Sequence, residues 1–501
     1  MINFRPLLYL AVGLVSGILL FETLAGLEGF GKAFVPVAAG LFLLSLSGSI
    51  ILLLKKRSAL FLLLAAFALA FIRMFFASPD GVEAGEYRLT GTVSSVSENG
   101  YGTVIVSGAE LNGSRLKYHI KLKLSDRSAS MPAVGDAITA SITLKEPFDG
   151  HSYSGHANLA GGYSFSAECV SFETVSSGGM KLKRSVLFIR RSLMNRINEL
   201  FRDNASVVSG FLLGDRSGID REDLESFRST GTAHLLSLSG FHVGVITGIF
   251  MALFPKRYRK TRFVFILVFL ILYCAVAAFP PSLIRASVMT AAVLLADLFD
   301  RKRDPLSSVS LAAIAILAVD PYELWSAGFR LSFAATIGII LFAGIGSVNS
   351  VSRAANRIFQ LLAVTFSAFL ATMLITARCF GYVNTYSIPA NLIAVPAFSA
   401  AIVMCFIVLL ISFPLPAAAG YISWVPDKLI GGIEKSLSFI AGLPYARIEV
   451  VRPYAFSGFI MLILLFIISP YVLRPIKKRL AAAVPVLILF TLSIIVSIIN
   501  I

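Results

Sequence analysis

Apolar runs of about 17–25 residues recur along this chain, the length that spans a bilayer as a helix. They predict spans near Pro6–Phe21, Phe34–Leu54, Ala59–Ala77, Ala233–Phe254, Phe263–Phe279, Ser282–Phe299, Leu306–Val319, Ser326–Ile345, Ile358–Ala377, Ile388–Phe413, Tyr454–Leu473 and Leu480–Ile499. Between Ser78 and Thr232 the pattern is polar. Tyr87 to Val175 alternates with period two in Arg88–Val96, Thr103–Val106, Arg115–Leu124, Ala137–Leu144 and Tyr163–Phe172, with Gly, Ser, Asn and Asp turns between. Such short strands predict a small β-barrel of the OB type. From Lys181 to Arg202 the period becomes helical, with Val186, Ile189, Leu193, Ile197 and Leu200 on one face. That helix is expected to lie on the membrane surface or on the barrel.

The expected fold is thus a multi-pass α-helical membrane protein of about 11–13 spans with an inserted extracytoplasmic OB-like domain. The expected segments are residues 1–77 (membrane helices), 78–180 (β domain), 181–232 (surface helices) and 233–501 (membrane channel domain). Composition agrees, with 56% hydrophobic and 14% charged residues. The first apolar run has no small-residue cleavage site and reads as a retained span.

A net charge of +16 suggests nucleic acid, but the loops at Lys55–Arg57, Lys256–Arg262, Arg301–Arg303, Arg353/Arg357 and Arg474–Arg479 account for nearly all of it. This is the positive-inside pattern. It predicts a cytoplasmic N-terminus and an outside C-terminus in the cytoplasmic membrane. Two basic loops, at Arg353 and Arg474, must then be separated by an even number of crossings. Either Ala418–Leu443 also crosses, or Ile388–Phe413 is broken at Pro396 and re-enters. Four cysteines without a CxxC, and no metal-ligand spacing, predict no metal, cofactor or catalytic centre.

Two stretches could carry chemistry. In Arg115–Leu124, Arg115, Lys117, His119, Lys121 and Lys123 fall on one strand face and could track a nucleic-acid backbone. The plainer alternative is a solvated strand that uses Lys to discourage edge pairing, and Ser78–Met180 is acidic overall. In Ala233–Phe254, His234, Ser237, Ser239 and His242 interrupt an apolar run, and such groups are expensive in lipid unless they face a bundle interior or water. Packing histidines, hydrogen-bonded within the bundle, would explain them equally well. Gly240, Gly244 and Gly248 add a small-xxx-small pattern.

Four ordered motifs give the chain a resemblance. They are Gly214-Asp215-Arg216-Ser217-Gly218 followed by Thr230-Gly231, His234-Leu235-Leu236 and Ser239-Gly240-Phe241-His242-Val243; Pro281 to Ala286 (PSLIRA); Gly328 to Phe333 (GFRLSF); and Phe380-Gly381 with Asn391-Leu392 and Val395-Pro396. Together they resemble the ComEC family of DNA-uptake channels. Arg330 stands where that pattern has Gln. The resemblance implies a channel component for single-stranded transforming DNA, not an enzyme. His234, Ser237, Ser239, His242, Arg285, Arg330 and Asn391 would line the path, and Asp215 and Arg216 would form the signature loop. Single-stranded DNA and the lipid bilayer would be its partners, with a DNA receptor outside, a DNA-translocating motor inside, and a separate nuclease and self-association left open. Many relatives add a metallo-β-lactamase-like domain; no HxHxDH occurs here, so a fused nuclease is not expected. The alternatives are a membrane-embedded hydrolase using His234 and His242, eight residues apart on one helix face, and a small-solute transporter.

Overall fold

The computed structural model describes residues 6–25, 58–77, 81–97, 103–124, 132–144, 153–176, 181–238, 240–254, 256–302, 304–342, 353–450, 460 and 484–487. The expected span Phe34–Leu54, all of Tyr454–Leu473 but residue 460, nearly all of Leu480–Ile499, the C-terminal residue and Ser239 lie outside them. The chain divides into two compact units, Arg5–Ile189 with Ser310–Ser326, and Arg190–Val309 with Met1–Phe4 and Ala327–Ile501.

The first unit begins with helices α1 (Pro6–Ala25) and α2 (Ser58–Ala77). They touch through glycine: a methyl group at Gly17 would lie 2.6 Å from the Phe67 carbonyl oxygen. Only a residue without Cβ permits that approach. A six-stranded sheet follows, built from β1 (Gly85–Ser97), β2 (Thr103–Leu111), β3 (Ser114–Arg115), β4 (His119–Leu124), β5 (Ala137–Leu144) and β6 (Tyr163–Ser176). β1 pairs antiparallel with both β5 and β2, β2 with β3 and β4, and β5 with β6, while β4 and β6 run parallel. Alternation explains the inner face, where Val104, Val106, Ile120, Leu122, Ile138, Ala140 and Ile142 are buried. The expectation of a small barrel is met only as far as this six-stranded sheet.

One expected strand is corrected. Arg115–Leu124 is not continuous: β3 ends at Arg115 and β4 begins at His119. The cause is the turn at Asn112 (φ +48°) and Gly113 (φ +86°), which sends β3 back along β2 for two residue pairs before the chain leaves the ladder.

The second unit is helical. It contains the C-terminal half of the long helix Lys181–Leu200, then Ala205–Leu213, Arg221–Ser229, Gly240–Leu253, Arg259–Val276, Pro281–Leu298, Ala327–Phe342, Arg353–Phe380, Ser387–Ile411, Pro416–Ile422 and Trp424–Ala441. One apolar core joins Phe201, Phe211, Phe227 and Leu236 to Phe398, Ile402 and Cys405 of Ser387–Ile411 and to Ile430 and Leu437 of Trp424–Ala441. Another gathers Leu238, Val243, Ile266, Leu270 and Leu283. Among the described residues, Pro281–Leu298, Gln360–Phe380 and Ser387–Ile411 are long and apolar enough to cross a membrane. A mostly helical chain with such helices fits a membrane protein.

Two expectations are overturned in this unit. Ser387–Ile411 is one helix that continues through Pro396, so no break or re-entry occurs there. Proline removes a single N–H, and one missing bond does not end a helix of 25 residues. One turn on, the Ser399 hydroxyl donates to the Val395 carbonyl at 2.5 Å. Ala233–Phe254 is not one helix: a 3-10 turn covers Ala233–Leu236, and the α-helix starts at Gly240.

Candidate functional site

The signature loop is built from the end of Ala205–Leu213. Gly214 caps that helix in the left-handed region (φ +74°), and its N–H donates to the Gly210 carbonyl at 3.0 Å. This turns Asp215 back toward the helix, where its carboxylate accepts from the Ser217 N–H at 3.0 Å and hydroxyl at 2.6 Å. Arg190 stands 3.5 Å from the same carboxylate. Burial works against the charge on Asp215, but Ser217 and Arg190 outweigh it and hold the carboxyl below its usual range. Arg190 also donates to the carbonyls of Leu213 and Val276 at 2.9 and 2.7 Å, gripping the C-terminal ends of two helices. Arg216 donates to the Leu236 carbonyl at 3.2 Å. Asp215 is thus tied within its own loop and to Arg190, and Arg216 to the turn that carries the histidine motif.

That turn depends on Gly231. Its φ is +70°, and a methyl group there would come within 2.7 Å of the Ser387 hydroxyl and 3.0 Å of the Asn384 amide nitrogen. Flanking it, the buried Thr230 and Thr232 hydroxyls lie 2.8 Å apart. The motif around Asn391 is thus packed against the motif around Gly231. Asn391 donates to the Ser387 carbonyl at 2.7 Å and to its hydroxyl at 3.2 Å.

The histidines sit on different elements. His234 lies in the 3-10 turn, and its carbonyl accepts from the Ser237 hydroxyl at 2.7 Å. His242 is buried within the helix Gly240–Leu253, with its ring 6.3 Å from that of Phe211. Because the helix begins only at Gly240, the two do not share a helical face. The hydrolase alternative rests on that shared face and loses it.

Arg285 is 6% exposed, on Pro281–Leu298. It donates to the Ser332 carbonyl and the Thr336 hydroxyl of Ala327–Phe342 and lies over the Phe333 ring. Arg330, on that same helix, is half-buried. The predicted path residues thus fall into groups: Arg285 with the Ala327–Phe342 helix, and Asn391 with the Gly231 turn.

On the sheet, His119 and Lys123 are exposed and Lys121 is half-buried, while Ile120 and Leu122 point inward. Lys121 lies 5.2 Å from the Tyr163 ring centroid. Lys123 sits opposite Glu168 in the β4–β6 ladder. Arg115 and Lys117 are exposed but outside β4, so the five do not form one strand face.

The first unit also holds a buried polar group that no sequence pattern announces. His156 Nε2 lies 2.8 Å from Glu22 Oε2, and its ring stacks on Trp325 with centroids 4.6 Å apart. Tyr322 packs against both rings. Lone residues far apart in sequence carry no periodic signal.

The motif residues of the helical unit lie inside the range 211–475, which the family model described as Competence protein matches. The chain belongs to that family. ComE operon protein 3 of Bacillus subtilis is 26% identical over 469 residues, which is 87% of this chain and 57% of that protein. Recombination protein 2 of Haemophilus influenzae is 28% identical over 247 residues, 46% of this chain and 31% of that protein. An uncharacterized protein of Aquifex aeolicus is 28% identical over 281 residues, 55% of this chain and 64% of that protein. The chain therefore spans a little over half and about a third of the first two relatives. No solved structure matches.

Proposed function

We propose that this competence protein is a multi-pass component of the cytoplasmic membrane through which single-stranded transforming DNA enters the cell. Family membership implies involvement in DNA uptake for transformation. The observation that carries the finer reading is Arg285: a buried cation bonded across two apolar helices. Ionisable groups at such depth are costly and usually serve a hydrated path or a substrate. The positive-inside pattern supports a cytoplasmic N-terminus and an outside C-terminus. The six-stranded sheet would serve as the OB-like domain outside the membrane, a reading that its mutually paired strands support. It would receive the strand outside, from a surface receptor, while a cytosolic motor would draw it inward. In this reading the chain performs no catalysis and needs no cofactor.

Import of labelled DNA into competent cells tests it. Deleting the chain should abolish uptake into the cytoplasm while leaving DNA bound at the cell surface. Unchanged import in the deletion strain would refute the channel role.

A further inference from the structure

The strand Tyr382–Asn384 pairs antiparallel with Arg447–Glu449. The chain between them therefore leaves this ladder along Ser387–Ile411 and comes back to it along Pro416–Ile422 and Trp424–Ala441. The two arms match in length, 25 residues out and 7 with 18 back. They share one core, in which Ala394, Phe398 and Ile402 meet Ile430, Ile433 and Leu437. At 1.5 Å per residue the outward arm is about 37 Å long. That exceeds the hydrocarbon thickness of a bilayer, about 30 Å. Where the outward arm crosses, the other arm must cross back. This is the additional crossing that an even count between the basic loops at Arg353 and Arg474 calls for.

The returning arm is unlike a helix that faces lipid. Lys428, Gly432, Lys435 and Ser436 fall on one of its faces, and all four are exposed. Their depth follows from the other arm. Lys428, Gly432 and Ser436 line one side of a groove whose other side is Ala390, Ala394 and Ala397 of Ser387–Ile411. Lys428 is the farthest of the three from the ladder, so it lies level with the middle of that helix. It pairs with Asp203 at 2.9 Å, and the two side chains are 57% and 63% exposed. The helix Arg221–Ser229 stands at a similar depth, since the Phe227 ring lies 6.2 Å from that of Phe398. Its Arg221, Glu222 and Arg228 are exposed. A lysine can snorkel to the membrane surface, but an aspartate is too short to follow. Exposed charges at mid-bilayer are costly against lipid and are kept against water or protein. Lys428 and Asp203 already neutralise each other, as do Arg447 and Glu225. They call for hydration, not for a charged partner.

We propose that Trp424–Ala441 and Arg221–Ser229 wall a water-filled cleft that reaches the middle of the membrane, with Lys428 and Asp203 at its inner end. The proposal rests on the multi-pass placement argued above. At the same depth the outer face of Ser387–Ile411, where Pro396 and Ala400 are exposed, meets lipid.

Single cysteines read the difference. Gly432→Cys, with open space around an added Cβ, and Ser436→Cys report on the cleft, and Ala400→Cys on the outer face. The unsubstituted chain gives the baseline, since its cysteines are buried apart from the half-buried Cys379. Each full chain in lipid nanodiscs is treated with a methanethiosulfonate that carries a trimethylammonium group, and the gain in mass is followed in time. The reacting species is the thiolate, which forms in water and not in hydrocarbon. We expect Gly432→Cys and Ser436→Cys to react at least about tenfold faster than Ala400→Cys. Three slow rates overturn the cleft, because lipid or a second copy then covers that face. Three fast rates also overturn it, because the hairpin then lies outside the bilayer, and they remove the crossing of Ser387–Ile411 as well. DNA takes no part in the measurement, so a failed cleft leaves the import test of the channel reading intact.

Discussion

The sheet and the helical unit both carry cations, but on opposite terms. His119 and Lys123 are exposed on β4, and Lys123 faces Glu168 across the ladder. Such charges cost little to keep, so their presence says little about purpose. Arg285 is buried among apolar helices with no carboxylate beside it among the described residues. A group that expensive is retained for a reason. The comparison teaches that cost of placement, more than number of charges, marks where a membrane protein handles its substrate.

Paired glycine substitutions test the difference in packing most severely. Gly113 of the sheet (φ +86°) has open space around an added methyl, whereas at Gly231 (φ +70°) the methyl would strike Ser387. Gly113→Ala should cost about 1 kcal/mol of strain, and Gly231→Ala about 3 kcal/mol, because a clash joins the strain. Thermal unfolding of both variants measures this; equal destabilisation would mean that the two motifs of the helical unit are not locked together.

Arg285→Ala should lower DNA import about tenfold, equivalent to about 1.4 kcal/mol, at matched expression and with normal insertion. Import at the wild-type rate would reduce Arg285 to a packing group and erase the contrast.

On the sheet the expected effect is smallest. Lys121→Gln with Lys123→Gln should leave stability within about 0.5 kcal/mol. Each should flatten the salt dependence of single-stranded DNA binding by the full-length protein, by up to about 0.7 for every phosphate that is no longer neutralised. An unchanged slope would identify the face as merely solvated.

Periodicity is what makes a sequence legible, and it reaches only part of this molecule. The spacing of Ile189, Leu193 and Ile197 marks the helix that runs to Leu200, and alternation through Ile120 and Leu122 marks β4. The break before Gly240 is illegible because Leu235, Leu236 and Leu238 are apolar whether or not the backbone is helical. The turn at Asn112-Gly113 is visible in composition, but its effect in detaching Arg115 from β4 depends on the pairing with β2. The signature residues stand out in the sequence, but their partners do not. Neither the grip of Arg190 on Asp215 nor the seating of Gly231 on Ser387 has a local pattern, since both join segments distant in the chain.

Arg190 also has a consequence in time. Its guanidinium bonds the carbonyl of Leu213, 23 residues downstream, and that of Val276, 86 residues downstream. At a synthesis rate of about 5–20 residues per second, the second carbonyl leaves the ribosome roughly 4–17 s after Arg190 itself. During that interval one guanidinium N–H waits with only water or lipid headgroups to bond. The grip closes when Arg259–Val276 has been threaded and brought alongside Ala205–Leu213. Arg190 therefore acts as a clasp on the order of assembly, engaged only after the nascent chain has delivered both of its halves.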